Sequence, residues 1–506
     1  MNLSGFCHRA TIYLPAGLLS AEQRGVRYTA DGRRQPVITV CEAIDIEISS
    51  EDLHTCLEVL QHIADSHGTF RRSDRFNGLI SKIYREGKRR DLNAERQRQR
   101  SEDHALKSAT AMVQIQRDAL PAAAALLPSS FHAGQKLNEP ECCYICKKDY
   151  TDVHFFYHLL CPECATFNYQ MRGLSADLTG RTALVTGGRV KIGYQTVLRL
   201  LRDGAKVIVT TRFPHAAARR FYAEPDSAGW ASRLQLYGLD LRNIPAVEAF
   251  AGHLLHTESH LDIIIHNAAQ TIRRPIGFYQ DLVTQELNPQ ETLSIEARGL
   301  VIQGAPSTLA ISDSSTLLPA VMPGVKDVLP VDALEDNEER ADSRNTNSWL
   351  LKLDEVSAPE MLEVQLVNSV APFLLNSRLK SLILRSPFQR RFIVNVSAME
   401  GQFGRHKTIF HPHTNMAKAA LNMMTRTSGE DYARSQIYMN SVDTGWVTDE
   451  NPGPKRLKIQ EDHGFFPPLD IIDGMARIYH PIAMGVNSDE EPLFGRFLKD
   501  FVPCPW

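Results

Sequence analysis

The sequence lacks any run of apolar residues long enough to cross a membrane, and it lacks a strong excess of charge of either sign. A membrane-spanning helix needs roughly 20 consecutive apolar residues, so we expect no membrane partner. The N-terminus lacks the charged-then-apolar order of a secretory signal peptide, so we expect a cytoplasmic protein. The net charge of −3 disfavours nucleic acid as a partner.

Cysteine is scarce and unevenly placed, which disfavours a disulfide framework. Two Cys-x-x-Cys pairs lie in one short segment, and each pair can place two thiolates on a tight turn. Two such turns can enclose a tetrahedral zinc ion, and four protein ligands make that site structural because no position stays open. The predicted ligands are Cys143, Cys146, Cys161 and Cys164, with Cys142, His154 and His158 as substitutes.

A chain of 506 residues exceeds one ordinary domain, so we expect two or three units. Residues 44–48 alternate polar and apolar side chains, as a half-buried strand does. Ser49 or Ser50 can cap a following helix with an apolar face. The residues of that face are Leu53, Leu57, Leu60 and Ile63. We therefore predict a small α/β unit over residues 1–85.

Two segments separate this unit from the C-terminal part of the chain. Residues 86–107 are highly charged, which is typical of a solvated helix or a flexible connector, and residues 118–138 read as a linker. We therefore predict a charged helix or linker over residues 86–138. A zinc-ribbon-like module over residues 139–172 follows it.

A glycine-bearing turn is the most informative local pattern. Residues 182–193 read TALVTGGRVKIG, an apolar run that ends in glycines and opens into a helical pattern. This is how a parallel strand delivers a dinucleotide pyrophosphate to a helix N-terminus, where free N–H groups and the helix dipole favour negative charge.

Three more apolar segments follow at intervals that suit alternating strands and helices. They are residues 206–212, 234–241 and 261–269, with amphipathic segments between them. Apolar strands that alternate with helices indicate an α/β fold with a Rossmann-type, doubly wound parallel sheet. We expect this domain to span residues 173–506. An insertion at about 275–350 forms either a lid over the site or a loose insertion at the surface.

Ordered motifs over about residues 176–500 resemble those of the short-chain dehydrogenase/reductase family. Thr186-Gly187 with Gly193 resembles the family's Thr-Gly-x-x-x-Gly-x-Gly turn, and Asn267-Ala268-Ala269 resembles the family's Asn-Asn-Ala-Gly strand end. The other matching segments are Asp240-Leu241, Asn368, residues 395–398, Lys418 and residues 440–445. The cofactor-binding residues that this resemblance implies are Thr186, Gly187, Arg189, Lys191, Ile192, Gly193, Arg212, Asp240, Leu241, Asn267, Ala268, Lys418 and Gly445.

The end of the second strand favours NADP(H) over NAD. An acidic residue there holds the ribose hydroxyls of NAD, whereas a basic residue accommodates the 2′-phosphate of NADP. This strand ends in Arg212 without a carboxylate, and Arg189 adds a second cation. Lys191 stands where the family normally has glycine.

The resemblance also implies a catalytic tetrad, of which this chain keeps only half. Lys418 and Asn368 match the family's lysine and asparagine, but Thr414 stands in the position of the acidic tyrosine. The serine register falls on Ala398, with Ser397 one residue early. Histidine is the commonest general acid, so His411 and His413 are the candidate proton donors.

Two functions are compatible with these residues. The first is an NADP(H)-dependent oxidoreductase that reduces a carbonyl or related group of a small organic molecule, with an atypical proton donor. The alternative is a catalytically degenerate NADP(H)-binding redox sensor or scaffold that acts through its zinc and N-terminal modules. The resemblance implies a homo-oligomer in either case.

Overall fold

The computed structural model describes residues 26–28, 34–36, 49–66, 74–117, 136–302, 344–404 and 407–506. The chain divides into two compact units, Met1–Asn93 and Ala94–Trp506. The predicted strand at 44–48 and residues 118–135 of the predicted linker lie outside the described residues. Every helix in the described ranges is too short or too polar to serve as a membrane-spanning segment.

The described part of the first unit contains a short hairpin and helices. Strands β1 (Val26–Tyr28) and β2 (Arg34–Pro36) pair antiparallel. Ser49 is the N-cap of helix α1 (Ser50–Asp65). Its side chain accepts a hydrogen bond from the Asp52 N–H, which is the capping contact that was predicted for Ser49 or Ser50. Of the four predicted apolar-face residues only Ile63 is buried, and Leu57 is 56% exposed. Helix α2 (Asp74–Ser108) runs through residues 85 and 86 without a break.

The second unit is built on an eight-stranded sheet in the order β12-β11-β10-β9-β8-β5-β6-β7. All of its neighbouring strands pair in parallel except β11 and β12. A separate antiparallel hairpin, β3 and β4, precedes the sheet. The strands are β3 (Lys136–Cys142), β4 (Asp149–Asp152), β5 (Thr182–Thr186), β6 (Lys206–Thr211), β7 (Leu234–Gly238), β8 (Ile263–His266), β9 (Arg391–Ser397), β10 (Ile437–Asp443), β11 (Phe497–Lys499) and β12 (Val502–Cys504).

Helices connect these strands and cover both faces of the sheet, which confirms the predicted Rossmann-type fold. They are α3 (Ala111–Gln116), α4 (Pro162–Met171), α5 (Lys191–Arg202), α6 (Pro214–Tyr222), α7 (Ile244–Thr257), α8 (Gln280–Leu287), α9 (Pro289–Thr292), α10 (Ile295–Gly299), α11 (Ala358–Gln365), α12 (Ala371–Leu384), α13 (Pro412–Ala433), α14 (Gly453–His463) and α15 (Ile471–Asn487).

Neighbouring strand residues supply two separate cores, because successive side chains of a strand point to opposite faces. Val185 of β5 belongs to the core that includes α5 and α15, whereas Leu184 belongs to the core that includes α7 and α12. Both side chains are fully buried. This arrangement explains why the strands read as continuous apolar runs and not as alternating ones.

The order in which successive strands are added to the sheet reverses at β5. Strands β6 and β7 extend it on one side, and β8, β9 and β10 extend it on the other. Open α/β sheets bind ligands in the crevice at such a switch point, outside the carboxyl ends of the strands. The fold therefore places the candidate site beside the turn between β5 and α5.

The first part of the predicted insertion packs beside this edge. The buried carboxylate of Glu286 in α8 accepts hydrogen bonds from the N–H groups of His215 and Ala216 at the start of α6, at 3.1 and 2.8 Å. A carboxylate at a helix N-terminus satisfies N–H groups that lack an intrahelical partner. Residues 303–343 of the insertion lie outside the described residues.

Candidate functional site: a nucleotide cavity and a cysteine centre

The turn between β5 and α5 needs glycine for steric reasons. A Cβ atom on Gly193 would lie 2.2 Å from the Gly187 carbonyl oxygen and 2.3 Å from Nδ2 of Asn267. Gly187 has φ +70°, which side chains disfavour, and a Cβ there would lie 2.8 Å from Cα of Ala268. The Asn267 side chain donates to the Gly187 carbonyl at 2.9 Å. The end of β8 thus fixes the turn that follows β5.

A cavity of about 410 Å³ opens beside this turn. Ten of the thirteen predicted cofactor-binding residues line it, namely Gly187, Arg189, Lys191, Ile192, Gly193, Arg212, Asp240, Leu241, Asn267 and Ala268. Thr186, Lys418 and Gly445 are not among its lining residues. Thr186 sits directly behind the wall, where its hydroxyl accepts a hydrogen bond from the Ala268 N–H at 3.1 Å. Residues of four strand ends therefore meet around one space.

The cavity carries an excess of positive charge. Six basic residues and three acidic residues line it, namely Arg189, Lys191, Arg212, Arg242, Arg273 and Arg274 against Asp240, Glu363 and Glu450. Burial opposes ionisation of Asp240, but hydrogen bonds from Arg242 and the charge of its guanidinium outweigh that effect and lower the pKa of Asp240. Arg273 contacts Glu363 at 3.2 Å. This excess of basic over acidic lining residues favours an anionic ligand.

Two arginines share one aromatic neighbour at the end of β6. The guanidinium carbons of Arg189 and Arg212 lie 5.4 and 5.3 Å from the centroid of the Phe213 ring. Arg212 also lies over the ring of Tyr279, at 4.4 Å. Aromatic faces hold guanidinium groups by cation–π attraction, so the two cations are positioned at the same end of the cavity.

Sequence reasoning missed several lining residues. Arg242, Tyr279 and Val447 belong to the cavity wall but to none of the motifs recognised in the sequence. Arg242 stands two residues after Asp240, a predicted cofactor-binding residue. A basic side chain so close to Asp240 was the signal in the sequence that could have identified Arg242 as a lining residue. Tyr279 lies in the insertion and Val447 follows β10, and no local pattern marks either of them.

The side chains that match the family's tetrad are not among the residues that line the cavity. The Lys418 ammonium is buried and donates to the Val396 carbonyl at 2.8 Å, and burial lowers its pKa to about 8. Asn368 lies in a π-helical turn (Leu366–Val370) and exchanges two hydrogen bonds with the backbone of Gln270, at 2.7 and 3.1 Å. Neither side chain is among the cavity-lining residues, but Gln270 is.

The candidate proton donors have different surroundings. His411 has a left-handed backbone (φ +43°), its ring stacks on Trp349 at 3.8 Å, and its Nδ1 lies 2.9 Å from the Trp349 carbonyl oxygen. His413 is 2% exposed, and its Nε2 lies 3.7 Å from the Glu360 carboxylate. Burial lowers the pKa of His413. Within the described residues, neither ring nitrogen of His413 makes a hydrogen bond.

Two further residues of the predicted catalytic set, Ser397 and Thr414, have buried hydroxyls. The Oγ of Ser397 and the Oγ1 of Thr414 have no hydrogen-bond partner among the described residues. Thr414 lies four residues before Lys418 on α13, where helical geometry places both on one face. Because a threonine hydroxyl is a far weaker acid than a phenol, Thr414 does not replace a tyrosine as a proton donor.

Four cysteine sulfurs converge at the hairpin formed by β3 and β4. The Sγ atoms of Cys143, Cys146, Cys161 and Cys164 all lie within 4.8 Å of one another. The Sγ atoms of Cys146 and Cys161 are 3.7 Å apart. Zinc–thiolate bonds of about 2.3 Å in a tetrahedron imply sulfur separations of about 3.8 Å. The donor set therefore fits a structural zinc ion and is compatible with a zinc-ribbon-like module.

The three substitute ligands lie outside this cluster. The sulfur of Cys142 lies 3.5 Å from the Lys147 carbonyl oxygen. Nδ1 of His154 accepts from the Phe156 N–H, and Nε2 of His158 lies 3.2 Å from the Phe466 carbonyl oxygen. The two Cys-x-x-Cys pairs alone supply the four clustered sulfurs.

The parallel sheet and the glycine turn between β5 and α5 define an α/β domain of the Rossmann type. Residues 181–294 match the family of short chain dehydrogenases. The chain thus carries a domain of the short-chain dehydrogenase/reductase family.

The curated relatives match very different shares of this chain. An uncharacterized protein of Acanthamoeba polyphaga mimivirus is 35% identical over 358 residues, which cover 67% of this chain and 71% of that protein. Dehydrogenase/reductase SDR family member 13 of Bos taurus is 39% identical over 118 residues, or 23% of this chain. The matched segment spans only 29% of the bovine protein.

Solved structures are similar to this chain at low identity. A metagenomic short-chain oxidoreductase in complex with NADP has 17% identity and a TM-score of 0.38, over 64% of this chain and 99% of that chain. A short chain dehydrogenase from Shigella flexneri has 16% identity and a TM-score of 0.41, over 65% of this chain and 95% of that chain.

Proposed function

We propose that this protein is an NADP(H)-dependent oxidoreductase that reduces a carbonyl or related group of a small organic molecule. The observation that carries the proposal is the basic cavity beside the β5–α5 turn, because it joins a glycine turn to a helix N-terminus at the switch point of the sheet. Gly187 and Gly193 let the pyrophosphate approach the backbone. Residues on the two sides of the turn then hold the two halves of the dinucleotide.

The preference for NADP(H) rests on Arg212 and Arg189. The two guanidiniums stand at the end of β6, and the neighbouring carboxylate of Asp240 is already bound by Arg242 at 3.0 Å. That carboxylate is therefore not free to hold the ribose hydroxyls of NAD. A guanidinium binds phosphate oxygens through charge-assisted hydrogen bonds, so a 2′-phosphate suits this end of the cavity.

The chain's own residues must supply the proton of the reaction. NADPH supplies a hydride when bound, and reduction of a carbonyl then needs one proton on the oxygen to give the alcohol. His413 is the first candidate donor because neither of its ring nitrogens makes a hydrogen bond within the described residues. His411 commits its Nδ1 to the Trp349 carbonyl and is the second candidate. Glu360, 3.7 Å from His413, stabilises its charged form.

We further propose that the four-cysteine centre binds a structural zinc ion. With four thiolates the coordination is complete, so the ion folds the module and takes no part in catalysis. A catalytic zinc needs an open position, which this set does not provide.

Binding without turnover is the alternative, and one observation favours it. Thr414 occupies the tyrosine position, and none of the tetrad-like side chains lines the cavity. In that case the protein senses the redox state of the NADP(H) pool, or acts as a scaffold, through its zinc and N-terminal modules.

Transfer of deuterium from labelled NADPH separates the two functions. The zinc-loaded protein is incubated with NADPH deuterated at its reactive carbon and with a panel of aldehydes and ketones. The products are analysed by mass spectrometry. The proposal predicts a deuterated alcohol from at least one substrate, and its loss in the double variant His411→Gln, His413→Gln. His256→Gln, on the exposed face of α7, is the matched control. Tight NADPH binding without any deuterated product supports the alternative.

A further inference from the structure

Tyr144 joins the cysteine centre to the loop that follows β10. It stands between Cys143 and Cys146, and its hydroxyl oxygen accepts a hydrogen bond from the Trp446 N–H at 3.0 Å. The two residues are 302 positions apart in the chain. The Tyr144 side chain thus connects the cysteine centre to a loop that is distant in the sequence.

The loop that Tyr144 holds forms part of the cavity wall. Val447, Thr448 and Glu450 line the cavity immediately after Trp446. The same loop is fixed from the sheet by Asp443, whose carboxylate accepts from the Gly445 N–H at 3.0 Å. Tyr144 and Asp443 therefore restrain residues 445–448 from two sides.

Apolar packing connects the same two regions. Val447 belongs to the buried cluster of the cysteine module, together with Cys143 and Cys161. Ile192 and Ile471 pack against that cluster and also line the cavity. One set of side chains thus serves as the edge of the module and as a wall of the cavity.

Polar contacts fasten the start of α15 to the module as well. Arg172, which follows α4, lies 2.8 Å from the Asp470 carboxylate and 3.1 Å from that of Asp473. The Tyr157 hydroxyl donates to Asp473. Ile471, between these two aspartates, is the cavity-lining residue.

The sheet order tells which half of a dinucleotide this wall contacts. Arg212 and Asp240 follow β6 and β7 on one side of the glycine turn, whereas Asn267 and Val447 follow β8 and β10 on the other. The 2′-phosphate and adenosine belong on the side of Arg212. The nicotinamide half therefore lies on the side that the module supports.

We infer that Tyr144 is a positioning residue through which the cysteine module holds the nicotinamide wall of the cavity. The inference rests on the proposed binding of NADP(H). A folded, metal-loaded module keeps residues 445–448 in place, and release of the Tyr144 hydrogen bond loosens that wall. The adenosine side is unaffected because Tyr144 contacts the loop after β10, whereas Arg212 and Asp240 lie on the other side of the glycine turn.

The test compares Tyr144→Phe with Tyr150→Phe. The Tyr150 hydroxyl lies in the same module but donates to the His158 carbonyl at 3.0 Å, so this control removes a hydroxyl without releasing the loop. Two quantities are measured in protein of verified zinc content. They are hydrogen exchange of the Trp446 amide, and the affinities for NADPH and for adenosine 2′,5′-bisphosphate.

We expect faster exchange at Trp446 and about three- to tenfold weaker NADPH binding in Tyr144→Phe, the range set by loss of one hydrogen bond. The affinity for adenosine 2′,5′-bisphosphate stays at the wild-type value, and Tyr150→Phe changes neither affinity. If Tyr144→Phe loses its zinc, Trp446→Pro takes its place, because proline lacks the N–H from which the Tyr144 hydroxyl accepts, and the two affinities are then the readout.

Unchanged exchange and unchanged NADPH affinity in Tyr144→Phe overturn the inference. Equal weakening of both ligands overturns it too, since the effect is then not confined to the nicotinamide side. A wild-type protein that binds neither ligand refutes the proposed function. The exchange rate at Trp446 still decides in that case whether the module restrains the loop.

Discussion

At the scale of single residues, Gly193 shows how tightly the nucleotide turn is packed. A Cβ atom at this position would overlap the Gly187 carbonyl and the Asn267 side chain. We predict that Gly193→Ala destabilises the fold by about 1–3 kcal/mol, as overpacking does, and weakens NADPH binding. Denaturant unfolding measures the free energy of unfolding, and fluorescence titration measures the affinity.

Gly252→Ala is the control for this prediction. Gly252 lies in α7, and a Cβ atom there would meet nothing within 4 Å. Alanine has a higher helix propensity than glycine, so this variant gains up to about 1 kcal/mol and binds NADPH as the wild type does. A Gly193→Ala protein as stable as Gly252→Ala contradicts the packing of the turn.

His413 makes the proposed proton transfer sensitive to pH. Burial lowers its pKa below the ordinary histidine value of about 6.5. The proton donor is the charged imidazolium, whose population rises as pH falls through that lowered pKa. We predict that kcat for carbonyl reduction rises as pH falls below 6.5 and then levels off, and that His413→Gln removes this dependence. A profile that is flat below pH 6.5 excludes His413 as the donor.

Residues within a continuous motif could be predicted from the sequence. The glycine turn and both cysteine pairs carry their geometry in their local spacing. Ten of the predicted cofactor-binding residues accordingly line one cavity, and the four predicted zinc ligands lie close together, while their binding roles stay predictions. Arg242 and Val447 could not be predicted, because only the folded sheet brings their side chains to the cavity. The catalytic roles of His411 and His413 stay predictions.

At the scale of elements, the strands ended earlier than predicted, and β8 also began two residues later than its apolar run. The segment 234–241 gives a strand only to Gly238, and 261–269 gives one from Ile263 to His266. The remaining residues leave the sheet because they turn to line the cavity, as Asp240 and Asn267 do. An apolar pattern predicts which residues are buried. Residues that follow a strand can stay buried after its last hydrogen bond to the neighbouring strand, so the pattern alone makes the strand too long.

The cysteine module permits a direct test of its metal. We predict that Cys161→Ser loses most of the bound zinc and lowers the melting temperature, because a structural zinc ion contributes folding energy. Cys142→Ser is the matched control, since the sulfur of Cys142 lies outside the cluster. Zinc content is measured by elemental analysis of the purified variants. Equal zinc content in both variants, or none in the wild type, contradicts the assignment.

At the scale of the whole molecule, the family resemblance leads us to propose a homo-oligomer built through α12 and α13. These helices expose large apolar side chains, among them Phe373, Met416 and Met423, at 54–57% exposure. We predict that the wild type sediments as an oligomer and that Met423→Glu shifts it to the monomer. Met484→Glu, on α15, is the control at a similarly exposed methionine. A monomeric wild type contradicts the proposal.

The choice of nicotinamide is the central claim, and a titration of the zinc-loaded protein with NADPH and NADH tests it most directly. We predict at least tenfold tighter binding of NADPH, a preference that Arg212→Ala abolishes and that Arg434→Ala, an exposed arginine outside the cavity, retains. Binding of NADH as tight as that of NADPH, or no binding of either nucleotide, contradicts the account.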